Sequence, residues 1–401
     1  METKRISLVS KQYTLPFILV TSLFFLWGFA HAILDVLNKH FQEVLNITKT
    51  HSAFIQVTMY MGYFIMAIPA GLFINRFGYR KGVVFGLLLY GLGAFLFIPG
   101  QYYVSFNAFL FALFVIGCGL TFLETAANPY VTELGAKATA ASRFAQSFNG
   151  LGCICAPILT GLLLFSDDSQ PTGNVALPYA CMGVVVLLVA IVFMRVKLPE
   201  IEHQTEVDSQ GHRVGLWSHK LFIFGLIALF AYEVSEISIN SFFINYVVEQ
   251  GWMNARRASL ILSFGGLSLF MAGRFIGSWI MQRISAERML LYCSIGTVLT
   301  TTLILCDLGI ISLIALLCGY AFEAIMFPTI FALSLRGLGS HTKRASSFLM
   351  MSPVGGVVGP LLMGYVADIT SSMVMSFIVP WITYAVVLMY ACRIVFGKVR
   401  S

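Results

Sequence analysis

The sequence predicts an all-α integral membrane protein whose twelve transmembrane helices form two pseudo-symmetric six-helix bundles. Three observations predict it. First, 58% of the 401 residues are hydrophobic and 11% are charged, against about 25% charged in a soluble domain, and the mean hydropathy is +0.85. Such a chain lacks the residues for a polar shell. Second, the apolar residues lie in continuous runs of about 20, the length that crosses the hydrocarbon core as a helix. An outer-membrane barrel would instead show alternating strands of roughly ten residues. Third, the runs number twelve, and the longest polar interval divides them six and six. Aromatics at 14% and the absence of a short-period repeat exclude a disordered or fibrous chain.

The spans, in order, are expected near 15–40, 52–74, 82–100, 107–132, 141–166, 174–196, 219–247, 257–282, 288–306, 309–335, 344–367 and 372–396. Residues 1–196 make the first bundle, 197–218 a cytoplasmic linker carrying Glu200, Glu202, Glu206 and Asp208, and 219–401 the second bundle. Residues 1–13 are polar and basic, and no cleavable signal peptide is expected. The Lys/Arg bias of short loops sets orientation. With both termini in the cytoplasm, 20 of the 25 basic residues fall on the inside, leaving Lys39, Lys49, Arg256, Arg257 and Arg274. The net charge of +7 is thus a topology signal. It forms no basic stripe, so no nucleic-acid partner is expected. The eight cysteines lie in or at the ends of apolar runs without metal-binding spacing, and are read as small buried residues.

The two halves repeat. Span 4 has Glu124-x4-Pro129 and span 10 has Glu323-x4-Pro328; span 5 has Gly152-x4-Pro157-x3-Gly161 and span 11 has Gly355-x4-Pro360-x3-Gly364. Asp35 precedes Phe41 by six residues in span 1, as Glu236 precedes Phe242 in span 7. A parallel six-plus-six repeat is the architecture of major facilitator transporters, with the substrate site near the midplane between the halves.

Of the 18 acids, five lie well inside apolar runs: Asp35, Glu124, Glu233, Glu236 and Glu323. At about 2.5–3.5 kcal/mol for each ionised acid at mid-bilayer, the five would cost on the order of 15 kcal/mol facing lipid. They must face the bundle interior, water or one another, or carry protons. They occupy spans 1, 4, 7 and 10, the first helix of each three-helix unit in that architecture, which lines its central cavity. Local partners such as His31 for Asp35, or a proton shared by Glu233 and Glu236, are the structural alternative. Reversible protonation is the chemistry such acids support, because burial and hydration change in turn as a cavity opens and closes.

Amides and aromatics accompany the acids. Asn38 shares the helix face of Asp35, Asn128 follows Glu124 by four, and Gln146 and Asn149 lie three apart. Gln56 and Tyr60 are four apart on span 2, and Asn240 follows Glu236 by four. With Trp27, they form a lining suited to a polyhydroxylated ligand, whose faces stack on rings and whose hydroxyls pair with amides and carboxylates. For Gln56 and Asn240, a role in tying helices together stands beside this reading.

At these residues the sequence resembles the fucose–proton symporter family of the major facilitator superfamily. The matching stretches are LFFLWGFAHAILDVLNKHFQ (23–42), FIQVTMYMGYFIMAIPAGL (54–72), GLTFLETAANPYVTELG (119–135), FAQSFNGLG (144–152), GRFIGSWIM (273–281) and MFPTIFALSLRGLG (326–339). The resemblance implies a proton-coupled symporter that imports a monosaccharide by alternating access, with L-fucose foremost and glucose, galactose or another hexose as alternatives. It places the family's two essential acids on Asp35 and Glu124, and its sugar contacts in spans 1 and 5 on Trp27, Gln146 and Asn149. Asn38, Gln56, Asn128, Glu236, Asn240 and Glu323 complete the expected substrate lining. No cofactor is expected, the proton gradient being the energy source. A monomer in the bacterial cytoplasmic membrane is expected. Four departures stand out against the family pattern. Asn75 replaces the Asp of the loop motif, His31 and Ala32 replace two Asn, Glu323 stands where many members have Asn, and two residues are missing before Phe144. The last shows from inside the repeat, since Arg143 to Pro157 is two steps shorter than Arg344 to Pro360.

A drug–proton antiporter is the competing transporter reading, and it predicts a more apolar cavity. An intramembrane enzyme is excluded by the lack of a GxGD motif and of any Ser-His or HxxxxD constellation on a membrane face.

Overall fold

Twelve helices long and apolar enough to cross a membrane make up the described residues of the computed structural model. It describes residues 14–134, 138–165, 174–196 and 216–397, with the side chains of 128–134, 138–144, 340, 343 and 344 left out. The spans are Thr14–Leu45, Lys49–Phe77, Tyr79–Tyr102, Phe106–Ala127, Ala145–Leu164, Ala176–Arg195, Lys220–Glu249, Ala255–Ile280, Ala286–Leu305, Ile310–Ser334, Ala345–Thr370 and Met373–Gly397, numbered 1 to 12 below. Each falls on an expected apolar run, and span 1 continues about one turn beyond its expected end.

Local chemistry sets the ends. Span 1 stops at Asn46, whose φ of 50° is the left-handed conformation that Asn tolerates. Thr48 then caps the next helix by accepting from the His51 amide. Asn254, Ser285 and Ser372 cap spans 8, 9 and 12 in the same way.

The chain forms two compact units. One takes in the described residues within 1–34, 58–166 and 171–205, the other those within 35–57 and 206–401. The break after 205 falls inside the expected linker. Residues 35–57, which chain order assigns to the first half, group with the second unit. Hydrogen bonds described below, from Asn38, Gln42, Lys49 and Thr50, account for that grouping.

Each unit repeats the other's packing. In the first, span 3 lies against spans 4 and 6; in the second, span 9 lies against spans 10 and 12. Span 7 packs on span 11 so closely that a Cβ on Gly359 would overlap the Val234 carbonyl. Span 1 meets span 5 likewise, where a Cβ on Gly152 would overlap the Phe25 carbonyl. Gly152 and its repeat counterpart Gly355, which meets Glu233 and Val234 of span 7, therefore serve the same helix pair in each unit. Outward faces are apolar: Ile68 and Leu72 of span 2 are 69% and 65% exposed, the surface a lipid solvent favours. Cys181, Cys306 and Cys318 are exposed rather than buried, in contrast to Cys118 and Cys293. Cys181 and Cys318 sit on membrane spans and Cys306 at the end of one, where a thiol behaves as a small apolar group.

The repeat is broken at two places. Span 5 belongs to one uninterrupted helix, Ala138–Leu164. Span 11 is instead divided into helices Thr342–Leu349 and Gly355–Thr370, with a 3-10 turn at Ser352–Val354 between them. Span 4 lies in one helix, Phe106–Leu134, across its Glu-x4-Pro. Span 10 is split by the same motif into Ile310–Glu323 and Met326–Ser334.

Candidate functional site

In the first unit, Leu23, Phe24 and Trp27 of span 1 face Leu123, Glu124 and Ala127 of span 4 across a narrow crevice. Helical spacing puts residues 23, 24 and 27 on one face. The Trp27 ring makes edge contacts with Phe24 and His31, each at 6.0 Å between centroids. His31 is fixed in turn. Its Nδ1 lies 3.2 Å from the Tyr60 hydroxyl and its Nε2 2.9 Å from the Tyr63 hydroxyl. A neutral imidazole offers one donor and one acceptor, so one tyrosine accepts from it while the other donates to it. His31 thus finds its partners on span 2, not one turn away at Asp35.

Span 5 closes on this group from the side. Asn149 Nδ2 donates to the Phe24 carbonyl at 3.3 Å, and Cys153 Sγ to the Gly28 carbonyl at 3.4 Å. Gln146, half-buried, precedes Asn149 by three residues on the same helix. The Asn128 side chain lies outside the described residues.

The second unit holds Asp35, Asn38, Gln56, Glu236, Asn240 and Glu323. Asp35 is 7% exposed and Glu323 1%, while Glu236 and Asn240 are half-buried. The carboxyl groups of Asp35 and Glu236 are electrostatic neighbours. Asn38 is fully used: its Nδ2 donates to the Ser241 carbonyl at 2.8 Å and its Oδ1 accepts from Gln42 Nε2 at 3.0 Å. Gln42 Nε2 also reaches Ser52 Oγ at 2.7 Å, and its Oε1 accepts from Asn245. Gln56 is 1% exposed, and neither of its amide atoms has a hydrogen-bond partner among the described residues. None of Asp35, Glu124, Glu236 and Glu323 is in an ion pair among the described residues.

Glu323 closes the first half of span 10. Pro328 has no N–H to give the carbonyl four residues earlier, that of Ala324. Arg274 of span 8 fills that role, its Nε donating to the Ala324 oxygen at 3.3 Å. Arg274, one of the basic residues outside the inside-positive pattern, is thereby accounted for. The Glu323 carbonyl accepts from the Tyr232 hydroxyl at 3.3 Å, and its Oε1 from the Tyr384 hydroxyl at 2.6 Å. His31, Tyr63, Tyr384 and Arg274 were not singled out as site residues by the sequence. The signal for Tyr63 was its place three residues after Tyr60; for Arg274, a charge inside an apolar run.

A second polar array joins residues 49–50 to the ends of spans 7 and 11. Asp368 accepts from the Lys49 amide at 3.1 Å, the Thr50 amide at 2.8 Å and the Thr50 hydroxyl at 2.6 Å. Lys49 Nζ pairs with Glu249 at 2.5 Å, and Glu249 also accepts from the Met373 amide at 2.6 Å.

Comparison with known proteins places this geometry. Residues 17–352 match the Major Facilitator Superfamily model. The chain is 35% identical over 390 residues to a glucose/galactose transporter of Brucella abortus, covering 95% of this chain and 94% of that one. It is 34% identical over 410 residues to the L-fucose–proton symporter of Escherichia coli, covering 95% and 93%. The crystal structure of a single-residue variant of the E. coli fucose:proton symporter FucP superposes with a TM-score of 0.67 at 31% identity, over 94% of this chain and 98% of that one. These relatives are transporters, not enzymes. The chain belongs to the Major Facilitator Superfamily and, within it, to the family of these L-fucose–proton symporters and glucose/galactose transporters.

Proposed function

We propose that this protein imports a monosaccharide (L-fucose, glucose or galactose) together with protons across the bacterial cytoplasmic membrane, as a monomer with both termini inside. The observation that carries the reading is the pairing of Trp27 with Glu124 in one crevice, in a chain related over its whole length to sugar transporters. Trp27, held by the His31–tyrosine group, offers an apolar face for a sugar ring. Glu124 offers acceptors for hydroxyls, and Gln146, Asn149 and Asn128 amide partners. Nothing favours the antiporter reading, which expects fewer amides.

Asp35 and Glu124 carry the coupling. Neither is in an ion pair among the described residues, which leaves each carboxyl able to exchange its proton where water reaches it. A carboxyl that loads from the outer side and unloads inside ties sugar movement to the gradient, worth about 2.3 kcal/mol per charge per 100 mV. With the termini inside, Lys49, Thr50, Glu249 and Asp368 lie at the outer surface. Their hydrogen bonds act as an outer gate, shut in this conformation, that opens to admit sugar.

The test is uptake of labelled L-fucose, glucose and galactose into proteoliposomes by wild type and Asp35→Asn. Asp35→Asn is expected to lose gradient-driven accumulation while keeping sugar exchange. Full accumulation by that variant would remove Asp35 from coupling, and a wild type that accumulates no sugar under any proton gradient would refute the function.

A further inference from the structure

Glu323 ends a half-helix inside the membrane, where its carboxyl has one hydrogen bond and no ion pair among the described residues. The carboxyl is 1% exposed. Its Oε1 accepts one hydrogen bond, from Tyr384, and its Oε2 receives none. The backbone carbonyls at the end of a helix present the negative pole of its dipole, which repels an anion. The groups that face it are Tyr232 and Glu236 of span 7, Arg274 of span 8, Tyr384 of span 12 and, on its own span, Tyr320. Arg274, the cation among them, donates to the Ala324 carbonyl and stacks over the Phe270 ring at 4.7 Å. It forms no ion pair with Glu323. The helix that carries Glu323 is also jointed next to it, at Ala324 and Ile325, so the two halves of span 10 can tilt separately.

We propose that Glu323 is a proton-carrying group in its own right, rather than a sugar ligand, and that it moves a proton in addition to those of Asp35 and Glu124. The inference rests on the proton-coupled reading above. The carboxyl takes a proton from outer water, forming its O–H bond. It stays neutral while span 10 buries it. When the half-helices part and inner water arrives, that bond breaks and the proton leaves to the inside. Tyr384 positions the carboxyl throughout.

Glu323→Gln keeps the size of the side chain and the acceptor for Tyr384 while removing the titration. The ratio of protons to sugar, read from the pH gradient that just balances an opposing sugar gradient in proteoliposomes, is expected to fall by one proton per sugar. An unchanged ratio in a Glu323→Gln protein that still couples would overturn the proposal alone. A wild type with no proton flux would overturn the coupled reading and this inference with it. Infrared difference spectroscopy of the purified protein on sugar addition needs no transport. It is expected to show a protonated-carboxyl band that is lost in Glu323→Gln and shifted in Tyr384→Phe. A spectrum identical in all three proteins also overturns the proposal.

Discussion

Trp27 and His31 form a unit in which each ring limits the other, and the two tyrosines on span 2 supply the rigidity. Two part-buried hydrogen bonds of about 1 kcal/mol each hold the imidazole. Their loss lets Trp27 drift from the orientation that a sugar face needs. His31→Phe keeps the ring contact and removes both nitrogens. We expect its apparent KM for sugar uptake to rise about tenfold, the equivalent of about 1.4 kcal/mol, with the proton-to-sugar ratio unchanged. An unaltered KM would show that the histidine does not orient the site. Asp35 and Glu124 were legible in the sequence because an acid in an apolar run is conspicuous. The partners of His31 were not. Sequence spacing shows neighbours one turn away on the same helix, such as Asp35, and is blind to the span that packs alongside. Asn38 and Asn149 show the same limit. Their amides bond backbone carbonyls of other spans, that of Ser241 on span 7 for Asn38 and that of Phe24 on span 1 for Asn149.

Elements with one sequence motif take two forms here. Glu-x4-Pro leaves span 4 within a continuous helix but breaks span 10 at Ala324 and Ile325. The motif fixes which carbonyl loses its partner; whether the helix opens depends on what a neighbouring span offers that carbonyl, and for Ala324 it is Arg274. Only the three-dimensional arrangement carries that information. The first turn of span 2 behaves as a separate element. Asp368 accepts three hydrogen bonds from it, and such charge-assisted bonds are worth about 1.5–3 kcal/mol each. The gate should therefore have to open for sugar to enter. In a protein whose exposed native cysteines Cys181, Cys306 and Cys318 are replaced by serine, a short thiol-reactive cross-linker joining the double variant Lys49→Cys/Glu249→Cys is expected to reduce uptake by more than tenfold, with the single variants unaffected by the reagent. Full uptake by a completely cross-linked protein would show that the contact is not a gate.

At the scale of the molecule, the twelve spans follow from 58% hydrophobic residues gathered into continuous apolar runs. Twelve spans stand where apolar runs predict them because lipid requires every backbone polar group to be satisfied within its own helix. The grouping of residues 35–57 with the second unit was not legible, since it comes from polar contacts of Asn38, Gln42, Lys49 and Thr50 made about 200 or 300 residues along the chain. The central claim is that sugar and protons move together. It is tested by adding L-fucose, glucose or galactose to proteoliposomes that have no imposed gradient and contain a trapped pH indicator. The account predicts that a transported sugar acidifies the interior as it enters and that a protonophore abolishes the signal. Entry of labelled sugar with no change in internal pH would contradict it.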